Sequence, residues 1–246
     1  MHRFFVPAGN VEGDEIQFTP AQARQISRVL RLRSGDEVQA LDNSGACYLV
    51  QLQETGQGRA FGRITGKEQA PGEPATRVHL SQGLLKGEKW GWVLQKGTEV
   101  GISAFRGLVC ARSVPRRDAK AWDSRARRWS AIVQEAAEQS GRGIIPEVLE
   151  PATWEDACRA GAGSGLLLHE GEMQIGLRDG LVGLKGQTTV LLLAGPEGGL
   201  TNEEVLIARD YHIPAVSLGP RILRAETAGV IAAALVLFER GEMQRR

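Results

Sequence analysis

Cysteine, aromatic residues and net charge are all in short supply in this 246-residue chain. Its three cysteines, Cys47, Cys110 and Cys158, are odd in number and far apart. They build neither a disulfide framework nor a zinc-ligand spacing, so they read as buried, reduced thiols of a cytosolic protein. A formal net charge of +1 points to neither an acidic nor a basic partner, so only the distribution of charge can be informative. No apolar run is long enough to span a membrane. The longest, Ala228 to Phe238, has 11 residues, where a spanning helix needs about 20. Met1-His2-Arg3-Phe4-Phe5 runs at once into Pro7, Gly9 and charges, which is not a secretory leader. Low-complexity segments and clear internal repeats are also missing. These exclusions leave a cytoplasmic globular protein. Its 42% apolar content is enough for a core, and its length suits one large domain or two ordinary ones.

The stretch Thr188 to Thr201 organises the rest. The apolar run Val190 to Ala194 stops abruptly at Gly195-Pro196-Glu197-Gly198-Gly199. Such a run, bounded by Gly and Pro, reads as a buried strand. Thr201-x-x-Glu204 reads as a capping box that starts a helix. The unit is strand, glycine loop, helix, and open α/β sheets bind ligands at such loops. A second unit follows the same logic. The short strand Pro214 to Leu218 ends in Gly219-Pro220-Arg221, then Ile222-Leu223-Arg224-Ala225-Glu226-Thr227, and the apolar helix Ala228 to Phe238 follows. The two loops can lie side by side at one sheet edge and form a ligand site.

Residues 1 to 70 read as a small β-rich domain with short strands at Glu15 to Phe18, Glu37 to Leu41, Ala46 to Leu52 and Arg59 to Ile64. A helix is expected over Pro20 to Leu32, with Ala23, Ile26, Val29 and Leu30 apolar. Arg24, Arg28 and Arg31 would then share one face at i, i+4 and i+7. A small barrel of this kind often binds RNA, although a basic stripe is also what ordinary solvated charge looks like. Ala70-Pro71-Gly72-Glu73-Pro74 reads as a linker. From residue 74 to 246 strands and helices alternate: a strand at Val78 to Gln82 and a helix at Lys86 to Val100, then a strand at Phe105 to Ala111. A basic loop (Arg112, Arg116, Arg117, Lys120) precedes an amphipathic helix, Arg127 to Ser140, stopped by Gly141. Strands at Ile144 to Val148 and Gly165 to His169 follow. Arg128, Glu135, Gln139 and Arg142 fall on the outer side of that helix or just past its end. The alternation predicts an α/β domain with a mostly parallel sheet covered by helices.

Three constellations could carry chemistry. The loop Gly195 to Gly199 has neither the P-loop Lys-Ser/Thr nor the dinucleotide glycine spacing. It suits a nest of amides for an anion or nucleotide, or a plain tight turn. Arg221, Arg224, Glu226 and Thr227 sit beside a buried helix and need partners. They are either a structural pair, Arg224–Glu226 or Arg221–Glu197, or a substrate-positioning pocket. His169 stands alone at a strand end, where a structural role is the simpler reading. There is no Ser-His-Asp order, metal-ligand cluster or nucleophilic cysteine.

At this point the motifs resemble a known family. LLLAGPEGGLTNEE at 191 to 204 and SLGPRILRAETA at 217 to 228 are similar to the two hallmark loops of the SPOUT class of RNA methyltransferases. They are most similar to the family that makes N3-methyluridine in small-subunit (16S) ribosomal RNA. Lys86-Gly87-Glu88-Lys89, Gln95-Lys96, Glu99, Gly101, Arg112-Ser113, Glu135 to Arg142, Pro146-Glu147, Arg3-Phe4 and Arg28 to Arg31 fit the same pattern. Cys110-Ala111 departs from it, since a Glu is expected ahead of Arg112.

The resemblance implies an N-terminal PUA-like barrel over 1–70 and a SPOUT methyltransferase domain with a deep trefoil knot over 74–246. It also implies a homodimer with the knot region and last helix at its interface, and S-adenosylmethionine as cofactor, with no metal. The implied cofactor site is Leu193, Ala194, Gly195, Gly199, Leu218, Gly219, Ile222, Leu223, Arg224, Ala225 and Thr227. Arg224 is expected to stabilise charge on the uracil oxygens, with Glu197 or Glu226 orienting it or accepting the proton. The RNA contacts would be Arg3, Arg24, Arg28, Arg31, Lys86, Lys96, Arg112 and Arg142, on 16S RNA within the small ribosomal subunit. Two alternatives stay open: a SPOUT enzyme acting on another RNA site, and a non-catalytic RNA-binding assembly factor.

Overall fold

The structure, a computed structural model, describes residues 1–56, 58–113 and 119–244, without the side chains of 119–124. Arg116, Arg117 and the Lys120 side chain of the expected basic loop lie outside the described residues. Contacts divide the chain into two units: Met1–Glu73 with Gln134–Ile145, and Pro74–Val133 with Pro146–Arg246.

The first unit holds β1 (His2–Phe5), β2 (Val11–Glu12), β3 (Glu15–Gln17), α1 (Pro20–Arg24), β4 (Glu37–Leu41), β5 (Ala46–Gly56) and β6 (Arg59–Gln69). They form one sheet in the order β1-β4-β5-β6-β3-β2. All its pairs are antiparallel except β1 with β4. Alternate residues turn inward, so Phe4, Ile16, Val38, Val50 and Leu52 share one core with Phe18, Ala23 and Ile26.

The helix here differs from expectation. Thr19 and Gln22 form a capping box with Pro20 at the first position. After Arg24, however, residues Gln25–Val29 wind as a π-helix. Leu30 N–H donates to Gln25 O and Leu32 N–H to Ile26 O. Arg31 then takes φ +57 and ends the helix. The wider π turn breaks the 3.6-residue period. Arg24, Arg28 and Arg31 are therefore all exposed, but not as one helical stripe. Val29, one of the four apolar positions of the expected helix, is 73% exposed.

Two other arginines are built into this unit. Arg3 donates through Nε to Gln39 Oε1 (2.9 Å) and through Nη1 to Glu138 O and Gln139 O (3.3 Å each). It thus satisfies carbonyls at the end of a helix, which have no partner within it. Arg142, expected to face outward, is 1% exposed. Its Nε and Nη2 meet Glu73 Oε1 and Oε2 at 3.0 and 3.1 Å. Gly141, at φ +81, turns the chain left-handed after the helix, and that turn sends Arg142 inward.

The second unit is a parallel sheet in the order β12-β10-β11-β7-β8-β9. Its strands are β7 (Arg77–Gly83), β8 (Ala104–Val109), β9 (Glu147–Thr153), β10 (Gly165–Leu168), β11 (Thr189–Ala194) and β12 (Ala215–Val216). The helices are α2 (Lys89–Val100), α3 (Ala119–Ser140), α4 (Trp154–Gly161), α5 (Leu177–Val182), α6 (Asn202–Asp210) and α7 (Ala225–Glu239). The last turns of α3, from Gln134, belong to the first unit. β11 lies between β10 and β7, which explains its continuous apolar sequence: a central parallel strand is covered on both faces. One face packs Leu108, Leu167, Leu191 and Leu193 against Trp154, Ala157 and Cys158 of α4 and Ala208 of α6. α7 covers the other face and packs on α2. Trp90 of α2 meets Trp129 of α3 edge-on at 6.0 Å. All three cysteines are free and buried.

Several boundaries move: α3 begins at Ala119 rather than Arg127, and β5 and β6 run on to Gly56 and Gln69. The strand expected at Ile144 to Val148 is β9, at Glu147–Thr153. The N–H groups of Ile144 and Ile145 go to the side chains of Glu73 and Asn43, so they cannot join the ladder. The helix expected from Lys86 begins at Lys89, because Gly87 sits at φ +61, outside the helical region. α4 and α5 were not anticipated. α4 did carry a readable signal, since Thr153 caps it by accepting from Asp156 N–H. Among the described residues no helix is long and apolar enough to cross a membrane.

Candidate active site

The two loops meet where β10, β11 and β12 end. The first, Gly195 to Leu200, is held on three sides. Gly83, closing β7, lies so near Pro196 that an added Cβ would sit 2.4 Å from its nitrogen, so only glycine lets the two backbones pass. Gln82, fully buried, donates through Nε2 to Gly195 O at 2.6 Å. Arg112 donates through Nη1 to Gly198 O and Leu200 O at 3.1 and 3.3 Å. Beyond the loop, the expected capping box starts α6: Glu204 N–H donates to Thr201 Oγ1 (3.2 Å), and Thr201 N–H to Glu204 Oε2 (2.8 Å). The other oxygen of Glu204 accepts from Ala111 N–H at 2.8 Å. One carboxylate, 6% exposed, thus ties α6 to the loop after β8.

Lys89, at the start of α2, joins the two halves of the site. Its Nζ lies 3.3 Å from Glu197 of the first loop and 3.3 Å from Glu226 of α7. Burial alone would lower the Lys89 ammonium, but Glu226 and Glu197 lift it above its ordinary value. Burial works upward on Glu197. Even so, the Lys86 N–H, its own backbone and Lys89 hold it below the usual carboxylate range. The second loop is shaped by Ser217: its N–H donates to Ile175 O, its carbonyl accepts from Leu177 N–H, and its Oγ accepts from Gly219 N–H at 3.2 Å.

Two adjoining cavities lie at these loops, one between the two loops and one between the second loop and residues 168–176. One, of about 380 Å³, is lined by Lys89, Ala194 to Glu197, Gly199, Leu200 and Arg224 to Glu226. The other, of about 500 Å³, is lined by Glu172, Met173, Ile175 and Val216 to Arg221. Leu168, His169, Glu170, Ile222, Leu223 and Ala228 border both. Together they offer apolar walls, backbone amides and several carboxylates, which is the composition of a site for a small organic ligand.

Residues 72–237 match the family model of the RNA methyltransferase domain. The chain is 33% identical over 240 residues to the ribosomal RNA small subunit methyltransferase E of Synechocystis sp., covering 96% of this chain and 77% of that one. The chain belongs to this family of RNA methyltransferases. The protein of the same name from Bacillus subtilis is 29% identical over 256 residues, with 97% of each chain covered. A Neisseria gonorrhoeae ribosomal RNA small subunit methyltransferase E, solved bound to S-adenosyl methionine, superposes with a TM-score of 0.84. It is 26% identical and covers 97% of this chain and 98% of that one.

Within this methyltransferase fold, most of the expected site residues converge. Ala194, Gly195, Gly199, Arg224 and Ala225 border the first cavity, Leu218 and Gly219 the second, and Ile222 and Leu223 both. Leu193 and Thr227 border neither. Leu193 is fully buried in the core under α4 and α6, because its side chain points to the opposite face from its neighbours along the strand. The expected pairs Arg224–Glu226 and Arg221–Glu197 do not form. Both carboxylates face Lys89, so neither orients Arg224. Arg221 and Arg224 are exposed and make no ion pair among the described residues. Lys86 is exposed beside the first loop, while Lys96 pairs with Glu99 within α2 at 2.7 Å. Sequence reasoning missed Lys89, Glu170 and Glu172. Lys89 belongs to the Lys86-Gly87-Glu88-Lys89 motif, and Glu170 directly follows His169, so a signal existed for both.

Proposed function

We propose that this protein transfers a methyl group from S-adenosylmethionine to N3 of a uridine in 16S ribosomal RNA. One observation carries the reading: the adjoining cavities at two glycine loops, where β10, β11 and β12 end, in a chain of this family. Its residues fit the cofactor. Leu168, Leu218, Ile222 and Leu223 supply apolar walls for a purine. Glu170 and Glu172 bring negative charge to a ligand that carries a cationic sulfonium. Bound there, S-adenosylmethionine supplies an already activated methyl group.

The chain's own residues then position and polarise the uracil. Arg224 stands exposed at the rim of the smaller cavity and makes no ion pair among the described residues. It is the group we assign to stabilise charge developing on a uracil oxygen. Glu197, held below the usual carboxylate range by the Lys86 N–H, its own backbone and Lys89 against the opposing effect of burial, is a poor acceptor for the N3 proton. Its work is to fix the first loop against α2, as Glu226 fixes the start of α7. Because N3 lies on the Watson–Crick edge, the target base enters unpaired or flipped.

The finer architecture belongs to the same proposal. The mostly antiparallel sheet of the first unit suits a PUA-like barrel, and exposed Arg24, Arg28 and Arg31 suit contact with RNA phosphates, with Lys86 and Arg112 nearer the loops. Strand order β12-β10-β11-β7 and the shared cavity wall of the two loops suit a trefoil-knotted SPOUT domain. Ile231, Leu235 and Phe238 form an exposed apolar stripe on α7, 41, 39 and 59% accessible. Such a stripe suits the interface of a homodimer. The work would take place in the cytoplasm, on RNA of the small ribosomal subunit.

The test is transfer of labelled methyl from S-adenosylmethionine to 30S subunits and to naked 16S RNA lacking the modification, followed by nucleoside analysis. N3-methyluridine is the expected product. Another methylated nucleoside refutes the uridine assignment. No transfer and no cofactor binding refutes the enzymatic reading.

A further inference from the structure

A third cavity, of about 280 Å³, lies on the sheet face covered by α4, along the first halves of β7, β8 and β11. The active site occupies the opposite ends of these strands. Its polar lining is His79 and Ser81 of β7, Arg106 of β8, Ser164 and Thr189; Ala160 of α4 roofs one side. These positions follow from strand alternation. Residues 79 and 81 share a face, and the parallel register sets them beside Ala104 and Arg106.

The guanidinium is the telling group. Nε of Arg106 is buried and finds no acceptor among the described residues. A buried donor of a charged group left unmatched is costly, so the site calls for an acceptor from outside the chain. Charge favours an anion. Burial holds the His79 imidazole below its ordinary value, and Arg77 and Arg106 act on it against a single carboxylate, Glu147. At neutral pH the imidazole is then an uncharged hydrogen-bonding group beside a cation. The volume, just under the range of ordinary ligand pockets, holds a phosphate or carboxylate group with a few attached atoms, not a nucleic-acid strand.

We propose that this cavity is a second ligand site, for a small oxyanion, with Arg106 as its principal contact. The test uses the full-length protein saturated with S-adenosylmethionine, so that the loop cavities are filled. Inorganic phosphate is titrated calorimetrically against chloride at equal ionic strength. Saturable binding to the wild type is expected, weakened about ten- to a hundred-fold in Arg106→Gln, as follows from losing a hydrogen bond to a charged group. Ala160→Phe, which fills the roof from an exposed position without removing charge, should abolish binding and covers the case in which Arg106→Gln fails to fold. Absence of saturable phosphate binding, or equal binding in wild type and both variants, overturns the proposal. So does displacement of phosphate by a short single-stranded RNA, which would make the cavity a backbone contact for RNA.

Discussion

Glu204 offers the sharpest test of how the site is held. Its carboxylate accepts from Thr201 N–H and from Ala111 N–H, both at 2.8 Å, and it is almost wholly buried. Its own carbonyl also accepts from Trp154 Nε1 at 2.8 Å, which a side-chain change leaves in place. A hydrogen bond to a charged group contributes about 1.5–3 kcal/mol. Glu204→Ala removes two of them and takes the acceptor from the Thr201 and Ala111 amides, a loss of about 3–6 kcal/mol. Against a domain stability of about 5–15 kcal/mol that is severe. At about 2–4 °C per kcal/mol for a chain of this size, the melting temperature should fall by about 6–24 °C. Glu204→Gln keeps one acceptor oxygen and should lose about half as much. Urea unfolding of the three proteins, each with and without S-adenosylmethionine, measures this. The alanine variant should also bind cofactor more weakly, because the first glycine loop runs directly into the cap. A loss below about 1 kcal/mol in Glu204→Ala would refute the claim that this carboxylate ties α6 to the loop after β8.

Arg142→Met, which takes the cation from the Glu73 carboxylate and leaves it the Ile144 N–H, should destabilise the protein by about 3–5 kcal/mol in denaturant titration without changing the salt dependence of RNA binding. Arg28→Ala and Arg31→Ala should each lower the salt slope of RNA affinity by about one unit, read by filter binding across a salt series. Arg224→Ala should abolish methyl transfer while cofactor affinity, by calorimetry, stays within a few-fold; equal loss of both would make Arg224 a cofactor or structural residue. Burial pushes the Cys110 and Cys158 thiols from 9.0 up to about 12. The folded state keeps the protons that the unfolded state releases, so stability holds below pH 9 and falls as pH rises toward 12. Replacing both cysteines with alanine should flatten that fall in pH-dependent unfolding.

What could be read from the sequence was whatever short-range physics decides. β11 announces itself by an apolar run cut off at Gly-Pro, and α6 by Thr201 and Glu204 three residues apart, because strand burial and helix capping involve near neighbours. The two loops that build the cavity were legible for the same reason. Partner choice across the chain was not. Glu197 and Glu226 meet Lys89, 108 and 137 positions away in sequence, rather than Arg221 and Arg224. Arg142, at an apparently outward helix end, turns inward to Glu73 because Gly141 reverses the backbone there. Arg24, Arg28 and Arg31 lose their common face to a π turn that residue spacing does not encode. For the Lys89 and Arg142 pairs the partner lies far away in sequence, and only the tertiary structure brings those segments together.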